Sequence, residues 1–385
     1  MRTIGIVTVG RSDYSILRPV LHRIEADDRL ELALIVAGNH FALEYGATVS
    51  EIEADGLPIA ARVPYAPSID DRQAVATAIA VGVEALARVF AAIRPSILLI
   101  VGDRFELLAV AAAAVPMGIP LAHLHGGELT EGAFDDSIRH ALTKLSHLHF
   151  ASADAHARRI LQLGEEPWRV VVTGAPALDE AMRVDALSET ELSQRLGLGL
   201  QSPPLLVSYH AATLDAASTD DRIRELLGAL DDVALPVVFT YPGPDPGAAS
   251  IRRRIEEYAS VHDDAVTVAS LGGHAYYSLM QRAAAMVGNS SSGIVEAPSF
   301  QLPVVNVGGR QDGRLRARNV IDAPVDREAI AAAIRRAVSR DFRAGLADLV
   351  NPYGDGHASE RIVQTLATVD LGPSLLVKRF QDADD

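Results

Sequence analysis

The sequence predicts an α/β protein made of two doubly wound domains. Three observations point there. Short β-branched runs alternate with helix-length segments almost from end to end. The runs are continuously apolar, as strands covered on both faces of a parallel sheet are. At 385 residues the chain exceeds one ordinary core and suits two domains of roughly 150–200 residues.

In chain order, the first half is expected to hold strands at Thr3–Val9, Glu31–Val36, Ile97–Val101, Pro120–His125, Leu148–Ala151 and Val170–Thr173. Helices at Tyr14–Glu25, Gln73–Ala92 and Ile138–Ser146 separate them, each with apolar positions at helical spacing. The rhythm pauses between Gly174 and Pro204, where a helix at Ser188–Leu196 precedes GLGLQSPP; this reads as the interdomain connection. Beyond it, strands follow at Leu205–Tyr209, Val237–Tyr241, Ala265–Ala269, Ala285–Val287 and Pro303–Val307, with a helix at Ile223–Leu230. The expected domains are therefore 1–180 and 200–360, with a helix and frayed tail over 361–385. No repeat at solenoid period is visible.

Composition bounds the partners. Hydrophobic residues at 49% and charged residues at 22% are ordinary for a globular fold. A net charge of −15 offers no cationic excess for binding nucleic acid, so an anionic ligand needs local arginines and helix N-termini. With no cysteine, disulfides, iron–sulfur clusters, thiolate zinc sites and thiol nucleophiles are excluded. The N-terminus MRTIGIVTVGRSDYS lacks a signal peptide's apolar stretch. The apolar stretch Leu107–Ala122 is interrupted by Pro116 and Gly118 and is short for a bilayer, so a buried helix followed by a strand is expected. No membrane association and a cytoplasmic location follow as expectations.

Three polar clusters directly follow strands. The first, Gly10 to Ser15, puts Arg11 and Ser15 beside a helix N-terminus, which suits an anion; a capped helix with an exposed arginine explains the same residues. Neither a P-loop nor GxGxxG is present. The second cluster joins Asp103 and Arg104 to His123, His125, Glu128, Asp135, Asp136 and Arg139. Parallel strands bring their ends together, so these carboxylates and imidazoles can converge for acid–base chemistry, although Asp135 or Asp136 could serve only as a helix cap. His123 and His125 alternate onto one strand face, but no third ligand follows, and no metal site is expected. The third cluster, Gly288 to Glu296, offers Ser290, Ser291 and free backbone N–H groups to a phosphate. Glu296 stands about a turn later, where it can accept from a ribose diol, and Arg310, Arg314, Arg316 and Arg318 follow nearby.

These motifs resemble the hydrolysing UDP-N-acetylglucosamine 2-epimerases, particularly the bacterial sialic- and legionaminic-acid branch and the epimerase half of the animal bifunctional enzyme. The resemblance rests on GRSDYSILRP, GDRFE, HLHGGELTEGAFDDSIRHALTKLSHLHF, YHAATLD, GNSSSGIVEAPSF and GRQDGRLRARNVID, in that order. It implies the GT-B architecture, two Rossmann-like doubly wound domains with a cleft between them. It also implies that Arg11, Ser290, Ser291 and Arg310 hold a diphosphate, that Glu296 meets the ribose, and that Asp103, Glu128, Asp135, Asp136 and His210 face the sugar. Arg104 and Arg139 would support the acidic group, and His40 would line the sugar side. Some relatives carry glutamate at the position of His125, so the second acid–base role falls to His125 or Glu128.

The implied chemistry is anti elimination: a carboxylate removes the C2 proton as the anomeric C–O bond breaks, giving a 2-acetamidoglycal. Water then adds at C1 and C2 is reprotonated from the opposite face. The arginines and helix N-terminus would stabilise the departing diphosphate, without a cofactor or obligatory metal. The expected partner is a UDP- or GDP-linked 2-acetamido sugar, and the chain is expected to be a homo-oligomer. A non-hydrolysing 2-epimerase and a GT-B glycosyltransferase are the rival enzymes.

Overall fold

The computed structural model describes residues 1–41, 48–65, 72–130, 134–211, 219–242, 247–269 and 271–382. The chain divides into two compact units: Met1–Asp179 with Tyr353–Asp385, and Glu180–Pro352.

The first unit carries β1 (Arg2–Thr8), β2 (Leu30–Ala37), β3 (Ile59–Val63), β4 (Ile97–Val101), β5 (Leu121–Leu124), β6 (Leu148–Ala151) and β7 (Val170–Val172). Their order in the sheet is β3-β2-β1-β4-β5-β6-β7, and every pairing is parallel. Side chains alternate between two cores. Ile97, Leu99 and Val101 meet Leu17, Leu21 and Ile24 of the helix Arg11–Glu25 on one face. Leu98 and Ile100 meet Phe90, Leu107 and Val110 on the other. Strands buried on both faces have no polar side left, which is why they read as unbroken apolar runs. The stretch Leu107–Ala122 folds as expected, into a helix Glu106–Ala114 and then β5.

The second unit repeats the plan with β8 (Leu205–Ser208), β9 (Val237–Thr240), β10 (Ala265–Val268), β11 (Ala285–Gly288), β12 (Val304–Val307) and β13 (Val320–Ala323). The order is β10-β9-β8-β11-β12-β13, again all parallel. The helix expected at Ser188–Leu196 forms over Glu189–Leu196 and belongs to this unit, burying Leu192 and Leu196 beside Leu206 and Met286. Ser188 accepts from the Glu191 N–H at 3.2 Å while Glu191 accepts from the Ser188 N–H at 2.9 Å, a reciprocal cap that starts the helix.

Two strands had no counterpart in the sequence reading. β3 and β13 lie at sheet edges and are only partly buried, as IAARV and VIDA with alternating exposure. Their alternating exposure leaves no continuous apolar run to mark them. Residues 353–360, expected with the second half, count with the first unit. The helix Ala358–Thr368 packs Ile362 and Leu366 into the same core as Ile4, and the buried Asp179 carboxylate accepts from the N–H groups of Ala358 and Ser359 at its start. The tail continues onto this unit. Arg169, with no exposed surface, donates to the carbonyls of Ser374, Leu375 and Val377.

Candidate active site

In a doubly wound sheet, ligands sit beyond the carboxyl ends of the strands where the strand order reverses. In the first unit that point lies between β1 and β4. Thr8 to Gly10 and Gly102 to Asp103 emerge there, and β5 and β6 bring His125 and Ser152 alongside.

Asp103 pairs with Arg139 and lies 3.3 Å from the Thr130 hydroxyl. Arg139 exposes only 4% of its side chain and stands 3.7 Å from Glu128, so one cation serves two carboxylates. Glu128 accepts from His125 Nδ1 at 2.6 Å and from the Ser152 hydroxyl at 2.6 Å. Asp136 Oδ1 accepts from the Thr130 N–H at 2.8 Å, which ties the helix Phe134–Leu145 to the preceding loop. Asp135, in the same first turn, has its carboxyl raised above the usual range by burial and then by the Asp103 charge. Second-cluster residues of the sequence reading thus converge within this unit.

His125 departs from expectation in one respect. β5 ends at Leu124, and His125 takes a left-handed backbone with φ of 61°, so strand alternation does not reach it. His123 stays on the strand and is occupied structurally: its Nε2 meets the Gly102 carbonyl at 2.8 Å and its Nδ1 the Thr143 hydroxyl at 3.2 Å. Gly127 follows with φ of 76°, and a Cβ there would lie 2.3 Å from the His156 carbonyl oxygen. The Gly-Gly pair therefore lets this turn lie against the helix Asp154–Gln162.

The remaining first-unit candidates lie around β1. His40 is fully buried between the hydroxyls of Thr8 at 2.9 Å and Thr48 at 2.8 Å; burial, and then Arg104, pull it down to about 4. Arg104 pairs with the buried Glu106 at 2.6 Å. Arg11 is exposed and lies 3.4 Å from Glu51, and the Ser15 hydroxyl donates to the Arg11 carbonyl at 3.0 Å. Asp13, quoted only as part of a motif, is buried and accepts from the N–H groups of Val9 and Gly10. It closes the turn into the helix.

In the second unit the order reverses between β8 and β11, which pair Ser208 with Gly288. Gly288 has φ of 135°, and a Cβ there would lie 2.0 Å from the Ser208 carbonyl oxygen, so glycine is required for the strands to run this close. The Asn289 side chain bonds both main-chain groups of His210, at 2.7 and 2.9 Å. The Asn289 carbonyl accepts from Arg310 at 3.0 Å and from Gln311 at 2.8 Å. Ser290 Oγ lies 3.4 Å from the Ser292 N–H, and Ser291, which makes no side-chain cap bond, immediately precedes the short helix Ser292–Val295 that ends at Glu296. Thus His210, Ser290, Ser291, Glu296 and Arg310 are gathered within this unit. Residues 212–215 of the YHAATLD motif and 131–133 of the long motif lie outside the described residues.

Five residues of these networks were not singled out from sequence: Thr130, Ser152, His156, Asn289 and Gln311. Ser152 and Asn289 directly follow strands, and that signal was available. His156 and Gln311 sit one turn into a helix and in a loop, where no local pattern marks them.

Against known proteins, the family model for UDP-N-acetylglucosamine 2-epimerase matches residues 22–367. The chain belongs to this family. A GDP/UDP-N,N'-diacetylbacillosamine 2-epimerase (hydrolyzing) of Campylobacter jejuni is 37% identical, with 99% of each chain covered. A UDP-N,N'-diacetylbacillosamine 2-epimerase (hydrolyzing) of Legionella pneumophila is 36% identical, over 98% of this chain and 99% of that one. The solved Neisseria meningitidis UDP-GlcNAc 2-epimerase bound to UDP-GlcNAc superposes with a TM-score of 0.79 at 18% identity, covering 95% of this chain and 99% of that one. That likeness shows the fold, two parallel-sheet α/β domains of GT-B type. The expectation of a hydrolysing 2-epimerase in this family is met by the family match and by these two relatives.

Proposed function

We propose that this 2-epimerase acts on a UDP-linked N,N'-diacetylbacillosamine-type sugar, releasing UDP and the free sugar inverted at C2. The full-length identity of 36–37% to two hydrolysing enzymes named for that sugar supports the substrate; a Neisseria enzyme named for UDP-N-acetylglucosamine stands at 30%. The observation that carries the chemistry is the convergence of Asp103, His125, Glu128 and Asp135 around Arg139.

In this reading a carboxylate of the Asp103–Asp135 pair takes the C2 proton while the C1–O bond breaks. The raised carboxyl of Asp135 suits it to hold a proton. Arg11, Ser290, Ser291 and Arg310 stabilise the departing diphosphate and Glu296 accepts from the ribose, with donors aimed where charge develops. Water adds to C1, and C2 receives a proton on its other face. His40, Arg104, Asp136 and His210 support the sugar side, as the Thr130–Asp136 and Asn289–His210 bonds hold those groups in place. The product would enter nonulosonic (sialic- or legionaminic-type) acid synthesis in the cytoplasm.

The enzyme is also proposed to work as a homo-oligomer. The helix Arg72–Ile93 turns Ala76, Ala80, Val81, Ala91 and Ala92 outward beside the exposed Thr77 and the Glu84–Arg88 pair, and a mixed, small-residue helix side of that length suits a second copy.

Incubation with UDP- and GDP-linked diacetylbacillosamine and with UDP-N-acetylglucosamine tests the reading. Free UDP and a free C2-inverted sugar, formed fastest from the first substrate, are expected. A product still carrying its nucleotide would point to the non-hydrolysing reaction, and absence of free sugar without an added acceptor would point to a glycosyltransferase.

A further inference from the structure

Close to the end of β1, three buried polar atoms have no hydrogen-bond partner among the described residues: Asp13 Oδ1, Glu106 Oε2 and Arg104 Nε. Orphaned buried atoms are uncommon in a folded chain, and each asks for a reason. Both carboxylates use one oxygen only. Asp13 Oδ2 accepts from the N–H groups of Val9 at 2.6 Å and Gly10 at 3.2 Å, and from the Thr8 hydroxyl at 3.3 Å. Glu106 Oε1 accepts from Arg104 Nη2 at 2.6 Å.

The unused atoms lie around one small space. A Cβ on Gly10 would stand 3.2 Å from Asp13 Oδ1 and 3.5 Å from Arg104 Nε, so both flank the bare face of that glycine. Glu106 comes alongside Val9, since a Cβ on Gly38 would lie 3.0 Å from the Val9 carbonyl oxygen and 3.5 Å from Glu106 Cγ. The Tyr65 hydroxyl donates to the Glu106 carbonyl at 3.0 Å and fixes its backbone. Arg104 is partly exposed and also feels the Asp135 charge, so the space adjoins the acid–base groups. Two acceptors and one donor are the partner set of a single bound water. Its hydrogens go to Asp13 Oδ1 and Glu106 Oε2, one lone pair takes the Arg104 Nε–H, and the second lone pair stays free.

We propose that Gly10, Asp13, Arg104 and Glu106 form the binding site of the water that adds to C1, and that Asp13 takes its proton. The inference rests on the epimerase reading above. There Arg11, next to Gly10, meets the diphosphate, and Asp103, next to Arg104, works at C2. C1 is bonded both to the leaving oxygen and to C2, so its nucleophile belongs where Gly10 and Arg104 meet. In the addition step an O–H bond of the water breaks and the proton goes to Asp13 Oδ1, while the oxygen bonds to C1. The electron pair of the C1–C2 double bond forms the C2–H bond with a proton from the acid group at C2, and Asp13 then passes its proton to solvent. No oxidant or metal takes part. Burial, opposed by the Arg104 charge, lifts the Asp13 carboxyl to about 6, which suits it to take up a proton near neutral pH.

The test separates water addition from the elimination before it. Gly10 has extended backbone, with φ of −166°, so Gly10→Ala fits the turn and places a methyl group on the water position. Asp13→Asn keeps the size and puts an amide where the proton acceptor stood. Single-turnover incubation with UDP-linked diacetylbacillosamine is followed by quantifying UDP, glycal and free sugar by proton NMR. Both variants are expected to release UDP within about threefold of the wild-type rate but to add water about 100-fold more slowly or worse. The 2-acetamidoglycal then leaves as the main sugar product. If Asp13→Asn does not fold, Glu106→Gln takes its place with the same product expected. A wild-type ratio of glycal to free sugar in Gly10→Ala and the carboxylate variant, or equal loss of UDP and sugar in both, overturns the proposal. Failure of the wild-type enzyme to release UDP and free sugar would instead overturn the epimerase reading.

Discussion

Asn289 grips His210 at two points: its Oδ1 accepts from the His210 N–H at 2.7 Å, and its Nδ2 donates to the His210 carbonyl at 2.9 Å. Because the Asn289 carbonyl also takes Arg310 and Gln311, one buried amide orders a histidine, a cation and the strand end between them. Asn289→Asp keeps the size but turns a donor into an acceptor facing the His210 carbonyl. We expect kcat/KM to fall at least about tenfold, the scale of one unmet buried bond, in steady-state assays of nucleotide release. Unchanged kinetics would remove this clamp from the site.

Gly288→Ala should disrupt the second unit. Its Cβ would meet the Ser208 carbonyl oxygen at 2.0 Å, backbone that cannot rotate aside, at a φ that alanine resists. A loss of about 3 kcal/mol is expected, read as a lowered Tm and faster proteolysis within 180–352. A variant melting with wild type would contradict the close strand approach.

How much of this was legible beforehand follows from what holds each part. Central strands such as Ile97–Val101 are buried on both faces, so their sequence states their role. Ile59–Val63 and Val320–Ala323 alternate buried with exposed positions, so no unbroken apolar run marks them. Asp103 and Glu128 could be picked from sequence because polar residues after buried strands have few structural reasons to be there, whereas Arg139, within the helix Phe134–Leu145, stood out through the motif resemblance. The partner of Glu128 at Ser152 depends on β5 and β6 lying side by side, and the docking of residues 374–377 on Arg169 spans about 200 positions. Such links belong to topology, and no window of sequence contains them.

Acid should weaken the first unit in a predictable window. His40 sits between two threonine hydroxyls and is drawn from 6.5 to about 4, by burial first and then by Arg104. A base whose folded pKa is depressed favours the neutral form, so its contribution is present above about 6.5 and lost as pH falls through about 4. His147 and His156 carry the same sign, each down to about 4. Asp13, raised to about 6 chiefly by burial and opposed by Arg104, carries the reverse sign, its contribution fading as pH climbs from about 3.8 to 6. Asp135, also raised by burial, shares the sign of Asp13, while His123, drawn down to about 3 by burial, joins the other rings, so four histidines stand against two aspartates. Tm should therefore drop between pH 6.5 and 4, less steeply in His40→Gln, when followed by calorimetry. A flat Tm across that range would show that these rings are not held neutral.

The central claim is that the first unit's acid–base groups exchange the hydrogen at C2. Proton NMR of the sugar released from UDP-linked diacetylbacillosamine in heavy water measures it directly. The account predicts one deuterium at C2 in every released molecule, and no release by Asp103→Asn although UDP still binds. A released sugar that keeps its original C2 hydrogen, or undiminished turnover by Asp103→Asn, would contradict it.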